Sequence, residues 1–305
     1  MNQRKKGLTH TVVRNWELYL FILPAFAYFL IFHYFPMYGV QIAFKDFIAR
    51  KGILGSTWVG LKHFHRFLNL YSAWTLVMNT LCLSLYTLLA GFPIPILLAL
   101  VINELRSRKA QKFVQTVTYA PHFISTVVLV SMLSIFGNSS YGLFNKLTAL
   151  FGAEPVSFMG VRGYFRHLYV WSGAWQSAGW SSIVFLSALT GVDPQLHESA
   201  MMDGATRLQR VIHINLPAIL PTVVMMFILQ SGNVMSVGFE KVYLMQNPVN
   251  LEVSEVISTY VYKVGLLQTQ FSFSTAVGLM NSVVNCIILV LVNLISKKLT
   301  STGLF

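Results

Sequence analysis

Apolar residues in this 305-residue chain gather into six runs. Each is long enough to cross a bilayer, which takes about 20 residues at 1.5 Å of rise apiece. The runs fall at about 18–43, 74–102, 112–136, 167–189, 216–239 and 273–296. They predict one all-α integral membrane domain of six transmembrane helices over 16–299, with short tails at 1–15 and 300–305. Several runs carry breaks: Pro24 and Pro36 in the first, Gly91-Phe92-Pro93-Ile94-Pro95 in the second, Pro121 in the third. Proline removes a backbone donor and clashes with the preceding turn. In lipid such a break persists where neighbouring helices or a water-lined cavity satisfy the freed groups. Structural kinks and the walls of a solute path both fit these positions.

Composition agrees with this pattern. Hydrophobic residues make up 55% of the chain and charged ones only 10%, against roughly a quarter charged in an average soluble domain. The net charge of +12 raises nucleic acid as a partner. However, the basic residues are dispersed between apolar runs, as at Arg4-Lys5-Lys6, Arg106 to Lys109 and Lys297-Lys298. That distribution suits the membrane surface and not nucleic acid. Cys82 and Cys286 lie inside apolar runs without metal-ligand spacing and read as small buried hydrophobes. Ala25-Phe26-Ala27 looks like a signal-peptide cleavage site, but the apolar run continues through Phe35 and is longer than a signal core. It reads as a retained first span.

Even numbering puts both termini on one side. The inside connections are then 1–15, 103–111, 190–215 and the tail from 297; the outside ones are 44–73, 137–166 and 240–272. Twelve Lys and Arg fall inside, counting Lys112 at a span edge, and ten outside. Short segments beside the first spans set orientation. Arg4, Lys5, Lys6, Arg14, Arg106, Arg108 and Lys109 favour cytoplasmic termini, and Lys45, Arg50, Lys51, Lys62 and Arg66 oppose them.

The polar connection at 190–217 has its own internal pattern. Asp193-Pro194 is a helix start, an acidic cap followed by proline in the first turn. A helix from Pro194 to about Met202, a turn at Asp203-Gly204, and a second helix over 205–213 capped by Asp203 make a helix-turn-helix knob. Leu216-Pro217 is expected to turn the chain back into the fifth span. Ala200, Met201, Ala205 and Leu208 offer apolar contact, with Glu198, Arg207 and Arg210 at the rim. An ordinary amphipathic interfacial loop is the alternative.

Glu198, Ala200, Asp203-Gly204-Ala205, Ile214, Leu216 and Pro217 resemble, in identity and spacing, the loop of permease subunits of bacterial ATP-binding-cassette importers. Two positions depart from that pattern: Ser199 stands where Ala is usual, and Val211 where an aromatic is frequent. The stretches from Trp16-Glu17 to Phe44-Lys45-Asp46, Asn79-Thr80, and Phe239-Glu240-Lys241-Val242-Tyr243 are similar to the carbohydrate branch, whose membrane domain is maltose-permease-like. Within it they look most like permeases for complex oligosaccharides and polysaccharide fragments. The resemblance implies a type I importer membrane domain in the bacterial cytoplasmic membrane. Its loop, with Glu198, Ser199, Ala200, Asp203, Gly204, Ala205, Arg207, Ile214, Leu216 and Pro217, would couple to a separate ATPase. It also implies a second homologous permease, two ATPase subunits that bind ATP and Mg, and an extracellular solute-binding lipoprotein.

The chain has no G-x-x-x-x-G-K-[ST] phosphate loop, so any ATPase belongs to another subunit and no cofactor is expected here. A proton-coupled carrier usually buries acids within its spans, and the only acid touching one is Glu17, at the entrance of the first. His33 and His122 lie near span ends or breaks, with no acid nearby in sequence. Trp175, Gln176 and Trp180 in the fourth run, and Gln230, Asn233 and Ser236 in the fifth, are candidate sugar contacts. The last three share a helix face by their three-residue spacing. The resemblance places substrate contacts in these same two regions. Interhelical packing is the alternative use of such residues. Asn281 and Asn285 in the sixth run fit either the path or the partner permease. Rival readings are a permease for amino acids or peptides, a self-sufficient channel, and a membrane enzyme using His197 and His213.

Overall fold

The computed structural model describes residues 15–300 and Gly303. The basic tail with Arg4, Lys5, Lys6 and Arg14 lies outside the described residues. Most of the described residues are helical, and a two-stranded antiparallel ladder pairs β1 (Lys45–Asp46) with β2 (Thr57–Trp58).

Among the described residues, four helices are long and apolar enough to cross a membrane: Trp16–Phe44, Ala73–Asn103, Arg207–Ser231 and Phe271–Lys298. A bent pair, Arg108–Phe123 with Thr126–Phe136, makes a fifth candidate. The fourth expected span, α1 (Arg162–Leu189), has the length but is less apolar. Its position explains why. Phe165, Tyr169, Val170, Ala174, Ala178, Gly179, Ser182, Phe185 and Leu189 are all buried along it, so neighbouring helices and not lipid receive much of its surface. The first helix is its opposite: none of its apolar window is buried inside the chain.

The structure corrects three expectations about the spans. The third is not one helix from 112 to 136, because the chain bends by 96° between Phe123 and Thr126, just beyond Pro121. Gly179 sits where the bent pair crosses α1; a Cβ there would lie 2.0 Å from the Thr118 carbonyl oxygen. Only glycine allows that backbone approach. The fifth span ends at Ser231 and not near 239; 232–238 is non-helical, and a new helix, α2 (Phe239–Met245), follows. Nor does Leu216-Pro217 turn the chain. Arg207–Ser231 is one rod, containing a π-helical turn at Val211–Asn215 in which the Leu216 amide donates to the Val211 carbonyl. Pro217 then falls in the first turn of the resumed α-helix, where its missing donor costs little. The first helix uses the same device at Leu30–Tyr34 before Pro36.

Three apolar clusters hold the helices together. One joins Leu83, Val130, Leu133, Phe165 and Tyr169 to Val237 in the 232–238 break and to Val242 and Met245 beyond it. A second packs Phe67 and Leu76 against Met235, Ile257 and Phe273. The third, near the polar loop, packs Ala99 and Leu100 on Phe185, Leu189 and Ile219. The break at 232–238 thus enters two of the three clusters.

Candidate functional site

The polar loop begins with a capped helix, α3 (Pro194–Met202), whose N-cap Asp193 carboxylate accepts the Gln195 amide at 2.9 Å. Its end is a Schellman closure. The Ala205 amide donates to the Ala200 carbonyl at 2.9 Å and the Gly204 amide to the Met201 carbonyl at 3.1 Å. Gly204 adopts φ +79°, and a Cβ there would touch nothing within 4 Å. Glycine is therefore required for backbone conformation, not for room. Asp203 caps the end of α3 and not the start of the next helix, correcting the expectation. That start belongs to Thr206, whose hydroxyl accepts the Gln209 amide while its own amide donates to Gln209 Oε1 at 2.7 Å. The second helix accordingly begins at Arg207 and merges with the rod.

The loop presents apolar side chains to solvent. Met202 is 89% exposed and Leu208 68%, with Leu196 and Met201 also exposed. Glu198, Ser199, Asp203 and Arg207 are exposed among them. Ala200, Asp203, Gly204, Ala205, Arg210 and Ile214 belong to one shallow groove of about 300 Å³. The root is fixed by Asn215, fully buried, whose Nδ2 donates to Glu104 Oε1 at 3.3 Å at the end of Ala73–Asn103. Leu216 and Pro217 are exposed on the rod beyond it.

At the other end of the rod, Gln230, Asn233 and Ser236 line a cavity of about 370 Å³ with Ser84, Thr87, Tyr169 and Gly238. They do not share a helix face as expected, since Asn233 and Ser236 lie past the end of the helix. Their placement comes from remote helices. Asn285 Oδ1 accepts the Met235 amide at 2.8 Å, and its Nδ2 donates to Ser236 Oγ at 2.8 Å. Ser258 Oγ donates to the Val237 carbonyl at 3.3 Å.

The other candidate contacts lie elsewhere. Gln176 Nε2 donates to the Ile124 carbonyl at 2.7 Å, and Trp180 stacks on His122 with ring centroids 4.6 Å apart, so both brace the bend of the third span. Trp175 lines a separate apolar cavity of about 450 Å³ with Met132, Phe136 and Trp171. Asn281 lines neither cavity, and its buried Oδ1 has no partner among the described residues. Residue spacing did not single out Ser84, Thr87 or Tyr169 as cavity residues.

Lys241 on α2 was legible only as part of the Phe-Glu-Lys-Val-Tyr run. It is 9% exposed; its ammonium donates to the Tyr169 carbonyl at 2.8 Å and lies 4.8 Å from the Tyr169 ring centroid. Burial pulls its pKa down to about 8.

Comparison with known proteins places this geometry. Residues 91–301 match the family described as binding-protein-dependent transport system inner membrane component. The polygalacturonan/rhamnogalacturonan transport system permease protein YteP of Bacillus subtilis is 46% identical over 99% of this chain and 94% of its own length. Protein LplB of the same organism is 43% identical over 96% of this chain and 92% of its own. Among solved structures, a chain of a bacterial alginate ABC transporter, in complex with an alginate pentasaccharide-bound periplasmic protein, superposes with TM-score 0.89 at 40% identity. That match covers 97% of this chain and 99% of the other. The chain therefore belongs to the binding-protein-dependent transport family, as one of its multi-pass inner membrane components.

Proposed function

We propose that this chain is the permease half of an ATP-driven importer that moves an oligosaccharide handed over by a solute-binding lipoprotein outside the cell. In this reading both termini face the cytoplasm, and all six expected spans, including the less apolar α1, cross the bilayer. Residues 193–215 form the knob on which one of two ATPase subunits docks, and a second homologous permease completes the path. ATP and Mg bind the ATPases, not this chain.

The observation that carries the reading is the unbroken rod Arg207–Ser231. It starts in the solvent-facing knob and ends at the cavity lined by Gln230, Asn233 and Ser236. Twenty-five residues at 1.5 Å each make it about 38 Å long. A push at the knob therefore travels as rigid-body motion to the wall of the cavity. The lining suits a sugar, since hydroxyls and amides offer donors and acceptors and the Tyr169 ring offers an apolar face. The names of YteP and of the alginate transporter support a saccharide as the cargo.

The test is uptake of labelled oligosaccharides, against amino acids, by membrane vesicles holding the whole transporter. Gly204→Trp is expected to abolish ATP-dependent sugar uptake while the chain still inserts at normal abundance. Undiminished uptake by that variant, or uptake of amino acids alone, contradicts the proposal.

A further inference from the structure

The end of the bundle opposite the knob carries a charge imbalance. Its connections, 44–73, 137–166 and 240–272, hold ten Lys and Arg against five Asp and Glu. Three of those five carboxylates are already engaged: Asp46 with Lys62 at 2.7 Å, Glu255 with Lys263 at 2.9 Å, and Glu252 with Arg162. Lys241 has no carboxylate within 4 Å among the described residues, although it is the most deeply buried of these cations after Lys45. Lys45 differs in its setting, donating to the Ile53 carbonyl within its own loop.

A buried ammonium without a counter-ion is costly. One of its three N–H bonds goes to the Tyr169 carbonyl, and no other hydrogen-bond acceptor is in place among the described residues. Gly173 lets the ammonium come this close to the helix, since a Cβ there would lie 3.1 Å from Nζ. Tyr169, which carries the ammonium on its carbonyl and ring, lines the cavity, as does Gly238, three residues before Lys241. The charge therefore stands directly behind the cavity wall, in a setting that screens it poorly.

We infer that Lys241 supplies the counter-charge for a carboxylate-bearing sugar unit, a uronate, held in the cavity lined by Gln230, Asn233, Ser236 and Tyr169. This rests on the oligosaccharide reading above and narrows it to acidic oligosaccharides. Lys241 acts on the cavity through its field and through the Tyr169 backbone. It is a specificity residue and not a hydroxyl-binding one.

The experiment compares uptake of a hexuronate trisaccharide with that of its fully methyl-esterified, neutral counterpart. Vesicles hold the complete transporter with wild-type chain, Lys241→Met or Lys241→Arg. The binding protein is the same throughout, so its own preference cancels between variants. Lys241→Met is expected to lower acidic uptake about thirtyfold relative to wild type while leaving neutral uptake within about twofold, as expected if only the charge term is lost. Lys241→Arg, which keeps the charge, should retain most of the acidic uptake. Equal loss of both sugars in Lys241→Met at normal membrane abundance would make Lys241 a structural clamp of α2 and overturn the inference. No loss of either would do the same. Wild-type uptake of the neutral sugar alone overturns the inference and spares the oligosaccharide reading; wild-type uptake of no oligosaccharide removes both.

Discussion

The turn at Gly204 and the break at 232–238 both interrupt a helical path, but only the break is also clamped by remote helices. Gly204 is closed by its own neighbours: the Ala205 and Gly204 amides bond back to the Ala200 and Met201 carbonyls, and Thr206 and Gln209 cap the start of the rod. Every partner lies within a few residues, and the knob faces solvent. The break at 232–238 also bonds locally, its Gly232, Asn233, Val234 and Ser236 amides donating to carbonyls three or four residues back, but it adds remote partners that the knob's turn does not use. Its Met235 amide and Ser236 hydroxyl depend on Asn285, its Val237 carbonyl on Ser258, and its flanking Gly232 and Gly238 abut Leu289 and Tyr169. A self-contained knob can be pushed as a rigid piece. A break clamped by three other helices moves when those helices move, which suits the wall of an alternating cavity.

Substitutions sharpen this contrast. The largest effect is expected from Asn285→Leu, which strands the buried Met235 amide at a cost of about 1–3 kcal/mol for a lost buried acceptor. The purified complex should melt lower, and the apparent KM for sugar should rise because Ser236 loses its anchor. Asn285→Asp, which keeps an acceptor for Met235, should recover most of the thermal stability. An unchanged melting temperature in Asn285→Leu would mean that the break is not clamped from the sixth span.

Gly204→Ala comes next, with about 1–2 kcal/mol of left-handed strain confined to the knob. Faster hydrogen exchange over 200–210 with unchanged exchange at 232–238 is the expected pattern. Spread of the effect to the break would erase the distinction between the two regions. Smallest is Thr206→Ala, which removes one cap at about 1 kcal/mol. It should fray the start of the rod in the same exchange experiment while leaving the cavity protected.

How far the sequence reveals each region comes down to the same difference. Asp193-Pro194 and Asp203-Gly204 announce a helix start and a turn, and the structure places both there. Thr-x-x-Gln also writes the cap at Thr206 into the chain, whereas the expectation placed the cap at Asp203. The break was not legible from hydropathy, because Val234, Met235 and Val237 keep the run apolar whether or not it is helical. Gly232 and Gly238 on either side were the available signal. Pro121 revealed a break in the third span but not a 96° bend, which depends on Gly179 in another helix. The membrane class was fully legible; the cavity, assembled from distant segments, was legible only through Gln230, Asn233 and Ser236, and for a reason of helical spacing that the structure replaces.

If the knob faces a motor in another polypeptide, its tip is out of reach from outside the cell. Met202 is 89% exposed at the end of α3. With Cys82 and Cys286 replaced by alanine, a cysteine put in place of Met202 should stay unmodified by an impermeant thiol reagent added to intact cells. In opened membranes it should cross-link to a co-purifying ATPase subunit. Modification from outside intact cells would put the knob on the wrong face of the membrane and contradict the account.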